Sequence, residues 1–296
     1  MTETPLVLGL SEAQLQHFQT AFKLSYHLNY LQVCQQFVPL RGLDVLEVGG
    51  ALPASLVIDH LGCNSWTAVE APAYDQELGA ANQFHRNAQD QVHQQNHAAS
   101  YRHLYLDIES IPEEHFGQYD LIFSIACFEH IHRLPQALRV MHRCLKPGGR
   151  LFTMHSPIWS AFDGHHLPLE RLSLPGNSYD GKSAIFQPWE HLLMTRSQAY
   201  KTIKERFDRS LAEEVIYYTY NSEHINRYFS EDYAMFFHDS KFTIRQLQLT
   251  FQTQTPSGIQ VALEERFPGY KQFSNNGIAG LLEKEVDGKA IILNIS

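Results

Sequence analysis

The sequence predicts an α/β fold, in which a doubly wound, mostly parallel sheet of seven strands carries an inserted, largely helical lid. Short apolar runs alternate with helical stretches from residue 43 to residue 155. That alternation is typical of a parallel sheet with helices on both faces. The alternation stops after His155 and resumes near residue 231. Because the intervening segment is too long for a plain connection, we expect it to have a function of its own.

The predicted chain has four parts. They are an N-terminal helical segment at 1–40, a core at 41–155, the inserted substrate lid at 156–230 and a C-terminal part of the core sheet at 231–296. Ser11 and Gln14 have the spacing of a capping box. Apolar residues then recur every three or four positions as far as Phe37, which predicts one amphipathic helix that ends before Pro39.

The remaining elements follow from local patterns. Strands are predicted at 43–48, 66–70, 101–106, 119–124, 151–155, 241–253 and near 290–295. Helices are predicted after Pro53, from the second strand to about residue 95, before the turn Lys146-Pro-Gly-Gly149, around 200–211, at 231–240 and at about 259–267. Asn275-Asn-Gly277 predicts a loop before the last strand.

The composition limits the partners of the chain. Its 296 residues include 23 basic and 32 acidic ones, for a formal charge of -9, whereas nucleic-acid-binding domains carry positive patches. No stretch approaches the ~18 consecutive apolar residues of a membrane helix, and the first residues lack the basic start of a signal peptide. The scattered cysteines are typical of a reducing compartment. We therefore expect a cytoplasmic protein without nucleic-acid or membrane partners, and its oligomeric state is left open.

Candidate ligand-binding residues lie where the predicted strands end, because parallel sheets bind ligands outside the carboxyl ends of their strands. Gly49 and Gly50 allow a ligand close to the backbone, but a third glycine for dinucleotide binding is missing, which disfavours NAD. A carboxylate at Glu70 suits the two hydroxyls of a ribose. Asp107 could accept from an adenine amino group, and the carbonyls near Ser124 could hold an ammonium group.

These residues resemble the motifs of class I S-adenosylmethionine-dependent methyltransferases of the small-molecule type. The matching stretches are Leu46-Glu-Val-Gly49 with Gly50, Glu70, Leu106-Asp-Ile108, Tyr119-Asp-Leu-Ile-Phe-Ser124, Phe128-Glu-His-Ile131 and Leu145-Lys-Pro-Gly-Gly-Arg-Leu-Phe152. The resemblance implies a Rossmann-like methyltransferase fold that binds S-adenosylmethionine, with the glycines against its methionine part, Glu70 on the ribose and Asp107 on the adenine. The full set of expected cofactor-binding residues is Glu47, Gly49, Gly50, Ala51, Glu70, Asp107, Ile108, Ser124 and Ile125.

One departure from that family concerns the first turn. The usual pattern E-x-G-x-G-x-G becomes Glu47-x-Gly49-x-Ala51-x-Pro53 here. Alanine adds one methyl group and proline suits the start of a helix, so the pocket could survive with a shifted loop. It could also be impaired, in which case the chain would be a degenerate member of the fold with a binding or regulatory role.

Methyl transfer needs alignment of the acceptor, exclusion of water and often a base that takes a proton from a hydroxyl. Histidine suits that role, and the candidates are His155 at the end of the fifth strand and the pair His165 and His166 in the insertion. His130 matches the family motif and is expected to be structural. We expect a small-molecule acceptor, with a hydroxyl oxygen of a sugar or natural product preferred to nitrogen.

A metal site is the alternative for the same histidines. His155, His165, His166, His191 and Asp163 could converge in space. Adjacent histidines rarely point the same way, however, and neither H-x-x-x-H nor H-E-x-x-H spacing occurs. The sequence therefore predicts no metal.

Overall fold

The computed structural model describes residues 7–72, 100–168, 172 and 185–286. Its centre is a seven-stranded sheet in the order β3-β2-β1-β4-β5-β7-β6. The strands are β1 Asp44–Val48, β2 Ser65–Glu70, β3 Tyr101–Tyr105, β4 Tyr119–Ile125, β5 Leu145–His155, β6 Thr243–Gln252 and β7 Asn275–Glu283. Neighbours from β3 to β5 are parallel, whereas β7 runs antiparallel to β5 and β6. The predicted fold class is confirmed.

Helices cover both faces of the sheet. They are α1 Glu12–Ala21, α2 Tyr26–Phe37, α3 Leu134–Cys144, α4 Glu190–Leu193, α5 Arg196–Lys204, α6 Arg209–Tyr220, α7 Ser230–Asp239 and α8 Ser257–Arg266. A π-helical segment, Ser55–His60, follows β1, and a 3₁₀ turn, Phe128–His130, follows β4. Among the described helices, none combines the length and apolarity needed to cross a membrane.

The alternation of side chains along the strands builds two cores. Val45 and Phe123 belong to the cluster that includes the buried residues of α1 and α2. Leu46 and Ile122 point to the other face, into the cluster that includes α3 and α7. Because successive strand residues face opposite sides, the near-continuous apolar strands of the sequence bury both faces, as a parallel sheet requires.

Two apolar clusters stabilise the insertion: one lies within it, and the other packs it against the core. Residues of α5 and α6, including Ile203 and Val215, pack together with Phe186. Trp189 and Leu192 pack instead with Phe273 and with Leu263 of α8. The described part of the insertion is therefore a helical layer that rests on the C-terminal half of the core.

Several local predictions need correction. The N-terminal segment forms two helices, because the chain turns at Lys23 with a left-handed φ of 56°. The helical stretch around 200–211 is likewise divided, at Asp208, which caps α6 through Leu211 N at 2.9 Å. Lys146-Pro-Gly-Gly149 lies inside the irregular start of β5, and the predicted loop at 275–277 begins β7.

Other local predictions are confirmed, and two cannot be compared with the structure. The capping box of Ser11 and Gln14 is present. The helix predicted at 231–240 is observed as Ser230–Asp239. The helix predicted up to residue 95 and the strand near 290–295 lie outside the described residues.

The turn after β1 is built around the carboxyl group of Glu47. This side chain is buried, and its Oε2 accepts hydrogen bonds from the backbone N–H of Leu52 at 2.9 Å and from Nε1 of Trp66 at 2.6 Å. Its Oε1 lies 2.8 Å from the position that a Cβ on Gly50 would occupy. Burial raises the pKa of Glu47 to about 7, against the smaller lowering effect of its two hydrogen bonds.

Replacement of this group, Glu47→Gln, should change how stability depends on pH. The folded chain holds the Glu47 proton up to about pH 7, whereas the carboxyl ordinarily ionises near 4.5. The folded state therefore binds more protons between these pKa values. Relative to the variant, the free energy of unfolding of the natural protein should fall across that range, by about 3 kcal/mol in total.

Urea unfolding of both proteins at several pH values between about 5 and 8 measures this difference. Gln can still accept both hydrogen bonds through its one oxygen, so the variant should fold. Parallel stability curves for the two proteins would mean that Glu47 ionises normally in the folded chain.

Candidate active site

A cavity of about 450 Å³ opens at the carboxyl ends of β1 to β4. It is lined by Val48, Gly49, Val69, Glu70, Ala71, Leu106, Asp107, Ile108, Glu109, Ala126, Cys127, His130, Ile131, His132, Arg133 and Glu223. Val48, Val69 and Glu70 end β1 and β2, the other residues up to Arg133 lie in the segments that follow β1 to β4, and Glu223 comes from the insertion. The cavity has the place that the topology predicts for a ligand.

Gly49 brings the first two loops of this cavity together. Its φ is +88°, and a Cβ at this position would lie 2.1 Å from Sγ of Cys127. Its backbone N–H donates to Val69 O at 2.9 Å. Only glycine fits here, because it adopts this φ at no steric cost and leaves room for the loop after β4.

Three acidic residues, Glu70, Asp107 and Glu109, line the β2 and β3 side of the cavity. Glu70 is the last residue of β2 and is 2% exposed, and its Oε2 lies 3.3 Å from Nε2 of His103. Asp107 is exposed and begins the turn Ile108–Ser110, where Ile108 contributes a buried apolar wall. The cavity therefore combines an enclosed carboxylate with a solvent-accessible one.

The structure does not place every predicted cofactor residue at the cavity. Gly49, Glu70, Asp107 and Ile108 line it, whereas Glu47, Gly50, Ala51, Ser124 and Ile125 are not among its lining residues. Glu47 instead organises the turn, and Ser124 donates its hydroxyl to Val48 O at 2.8 Å. Ala51 is 1% exposed and packs in the apolar cluster beneath α1 and α2. Its methyl group thus points into the core.

The turn after β4 is tied to the last part of the insertion. Asn226 donates from its side-chain amide to Phe128 O at 2.6 Å and to Ile131 O at 3.0 Å, and from its backbone to Glu129 O at 2.7 Å. Asn226 is itself held, because its side-chain oxygen accepts from the Tyr233 hydroxyl at 2.9 Å. The insertion therefore supplies the donors for most of the backbone carbonyls of this turn.

The rings at the same place form a cluster of three imidazoles. His130 lines the cavity, and its ring centroid is 5.0 Å from that of His166 and 5.2 Å from that of His224. Nδ1 of His130 is hydrogen-bonded to the backbone carbonyl of His224. Burial is the main cause that lowers the pKa of His130 to about 3 and raises that of the neighbouring Glu129 to about 8.

The other two histidine candidates lie elsewhere. His155 is fully buried between Phe128 and Tyr233, at centroid distances of 5.5 and 4.8 Å, and burial lowers its pKa to about 3. His165 packs against Phe186 and His191. None of the three predicted bases, His155, His165 and His166, lines the cavity, although His166 contacts the lining residue His130.

Sequence reasoning missed four polar residues of the cavity wall. Glu109 and Arg133 face each other at 3.5 Å, and Nε2 of His132 is 2.8 Å from the carbonyl of Glu223. Glu109, His132 and Arg133 lie within three residues of Asp107 or His130, and that proximity to the strand ends was an available signal. Glu223 lies in the insertion outside any motif, and no local signal marks it.

Comparisons with known proteins identify methyltransferases as similar to this chain. A family model described as a methyltransferase domain matches residues 29–247. Ubiquinone biosynthesis O-methyltransferases of Pseudomonas savastanoi pv. phaseolicola and Pseudomonas syringae pv. syringae are each 27% identical over 139 residues. Those alignments cover 45% of this chain and 54% of the relatives, so the chain spans about half the length of the curated proteins it matches.

Solved structures of methyltransferases are also similar. An S-adenosylmethionine-dependent methyltransferase from Mesorhizobium loti aligns with 88% of this chain and 99% of its own, at 12% identity and a TM-score of 0.48.

Gly49→Ala should disrupt this site, and Gly117→Ala is its matched control. Both glycines have positive φ, but a Cβ on Gly117 meets nothing within 4 Å. The left-handed conformation alone costs alanine about 1–2 kcal/mol, which is the loss expected for the control. The clash with Cys127 adds to that loss in Gly49→Ala. We expect a larger drop in unfolding free energy and weaker binding of S-adenosylhomocysteine for this variant only; equal effects of the two changes would contradict the close approach.

Asn226→Ala should loosen the turn after β4. It leaves the carbonyls of Phe128 and Ile131 without their donor, which should cost about 2–4 kcal/mol of unfolding free energy. Asn221→Ala, at an exposed position after α6, is the control and should be nearly neutral. Chemical denaturation of the three proteins measures the effect, and indistinguishable midpoints would mean that the insertion does not hold the turn.

Proposed function

The chain belongs to the methyltransferase-domain family of S-adenosylmethionine-dependent enzymes, and on that premise we propose that it methylates a hydroxyl oxygen of a small-molecule acceptor, a sugar or another natural product. The observation that carries the proposal is the convergence of Gly49, Glu70 and Asp107 on one cavity at consecutive strand ends. We also propose that it acts in the cytoplasm. Its formal charge of -9 disfavours a nucleic-acid acceptor.

The cavity fits the cofactor that this activity requires. Its volume of about 450 Å³ lies in the range of small-molecule sites. The bare backbone of Gly49 admits a close ligand, and the enclosed carboxylate of Glu70 can accept from the two hydroxyls of a ribose. S-adenosylmethionine, when bound, supplies an electrophilic methyl group on a sulfonium. The residues of the chain have to bind and orient the reactants and exclude water.

The choice of oxygen as the acceptor atom is supported by the imidazoles beside the cavity. A hydroxyl is a weak nucleophile until it gives up its proton, and a nearby imidazole is suited to accept it. His130 lines the cavity and its ring contacts that of His166. Burial keeps both imidazoles neutral, in the form that can accept a proton, but the lowered pKa of each makes it a weaker base. The curated relatives are named as O-methyltransferases, which agrees with this choice. The insertion is hydrogen-bonded to the turn through Asn226 and lines the cavity through Glu223, which supports a role for it in excluding water.

Two alternatives predict different outcomes. A nitrogen acceptor would need no base, so loss of the imidazoles would leave turnover unchanged. A degenerate protein would bind the cofactor without turnover. The burial of the Ala51 methyl group in the core argues against a blocked pocket, because the unusual residue does not enter the cavity.

Glu70→Gln tests the assignment of the cavity. A hydrogen bond to a charged group is worth about 1.5–3 kcal/mol, so the variant should bind S-adenosylmethionine and S-adenosylhomocysteine about 10- to 100-fold more weakly. Glu113→Gln, at a side chain 85% exposed, is the control and should bind as the natural protein does. Isothermal titration calorimetry gives the three affinities, and equal affinities would remove Glu70 from the site.

Turnover separates the remaining alternatives. The protein is incubated with S-adenosylmethionine and separate pools of phenols, sugars and amines, and methylated products are found by mass spectrometry. We expect products from a hydroxyl pool. Products from amines alone would replace oxygen by nitrogen, and tight cofactor binding without any product would favour the degenerate alternative.

A further inference from the structure

We propose that Glu129, His130 and His166 form a binding site for one divalent transition-metal cation, zinc as the first choice, on the wall of the cavity. One ligand atom of each residue lies within 4.8 Å of the others. Binding of the cation does not depend on the proposed function, but its part in catalysis does, since it would hold the acceptor oxygen. A hydrogen-bonded cluster without affinity for metal is the competing explanation.

The composition of the cluster fits zinc and its neighbours. Two imidazoles and one carboxylate, with a coordination position left for water or substrate, are a recurring set for catalytic transition metals. Ligand atoms around a tetrahedral zinc lie about 3.3 Å apart, given bonds of about 2.0–2.2 Å. A spread of 4.8 Å can therefore be closed by side-chain movements of about an ångström, without a change of backbone.

Glu129 is the strongest sign of a missing ligand. Its side chain is fully buried, and neither carboxylate oxygen has a side-chain hydrogen-bond partner in the described part of the chain. The backbone N–H groups of Glu129 itself and of Ser156 act to lower its pKa, but burial raises that pKa by more. A buried carboxyl group without a partner stays protonated, as the raised pKa of Glu129 indicates, and its ionised form is costly unless it is paired with a charge or bound to a metal. A cation at this place would remove that cost.

His130 is held as metal ligands usually are. Ligating imidazoles commonly donate their second N–H to a backbone carbonyl, which selects the tautomer and aims the other nitrogen at the metal. Nδ1 of His130 is bonded to the carbonyl of His224, which leaves Nε2 to face the cluster. In His166, the buried Nδ1 has no hydrogen-bond partner among the described residues.

The backbone around His166 is shaped for this placement. His166 has a φ of 45°, in the left-handed region that residues other than glycine seldom adopt. Two residues earlier, a Cβ on Gly164 would lie 2.3 Å from Ile158 O and 2.4 Å from Trp159 O. Such strained conformations persist where surrounding structure enforces them, often at functional sites. The tight turn thus directs a histidine of the insertion toward Glu129 and His130.

A cation here would act on an acceptor in the cavity. His130 belongs to both the cluster and the cavity wall, so an open coordination position would face bound substrate. A hydroxyl oxygen bound to a divalent cation loses its proton more readily. The proton would pass to solvent, which would make an unactivated hydroxyl competent at neutral pH. This role deepens the proposed function for the same site.

The test is metal binding by the full-length protein, measured without an acceptor. Chelator-treated protein is titrated with Zn²⁺ by calorimetry and with Co²⁺ by visible absorption. We expect one ion per chain and a visible band typical of Co²⁺ bound to nitrogen and oxygen. His166→Asn, which tolerates the left-handed backbone, and Glu129→Gln should each weaken binding by at least about 100-fold, beyond the effect usual for second-shell changes. His238→Ala, at a side chain 84% exposed, should bind as the natural protein does.

Two results would overturn the site. One is the absence of saturable Zn²⁺ binding at one ion per chain. The other is equal Zn²⁺ affinity in His166→Asn, Glu129→Gln and the natural protein, when circular dichroism shows that all three are folded. Failure of the proposed function is distinguishable, because it leaves Zn²⁺ binding intact while no acceptor is methylated. If the metal site and the proposed function are both correct, removal of the metal by a chelator should lower turnover at least tenfold without changing the affinity for S-adenosylhomocysteine, and added Zn²⁺ should restore turnover. Turnover that a chelator does not change would contradict a catalytic role of the metal.

Discussion

The site depends on one set of hydrogen bonds, those between the turn that follows β4 and the end of the insertion. The turn is too short to satisfy its own carbonyls, and buried carbonyls need donors. Asn226 supplies three of those hydrogen bonds, and the Tyr228 hydroxyl donates to the carbonyl of His132. These hydrogen bonds hold the turn in the position that places His130 on the cavity wall. Without the insertion, its ring would lose both the carbonyl of His224 and the neighbouring imidazoles.

This dependence makes the insertion part of the site as well as its cover. One apolar cluster joins α5 to α6, and a second cluster, which contains Trp189 and Leu192, packs the insertion against Leu263 of α8. His166 from its beginning and Asn226 from its end therefore meet at the same turn, although they are far apart in sequence. An insertion can in this way add functional residues to a core that many methyltransferases share, and so determine which acceptor is methylated.

The sequence predicts the features that depend on near neighbours and misses those that depend on distant ones. The capping box at Ser11 and the positions of β1 to β4 depend on local spacing, and Glu70 and Asp107 were found because strand ends meet at one edge. The break at Lys23 escaped because the apolar period continues through it. The hydrogen bond between His130 and the carbonyl of His224 joins residues that are 94 positions apart, and no sequence pattern predicts it.

The amino-terminal and carboxyl-terminal ends of the parallel strands differ in how their charged and polar side chains are paired. At the amino edge, Lys146 lies 2.8 Å from a carboxylate oxygen of Asp44 and 2.9 Å from one of Asp120, so charges there are paired. At the carboxyl edge, Glu129 and Nδ1 of His166 are buried without side-chain partners. Folding alone would favour apolar residues or paired charges in both places. Other buried polar atoms of the described chain, such as Nδ1 of His191 and Oγ1 of Thr219, also lack hydrogen-bond partners. Glu129 and His166, however, converge with the cavity residue His130, so one bound ligand could pair with both.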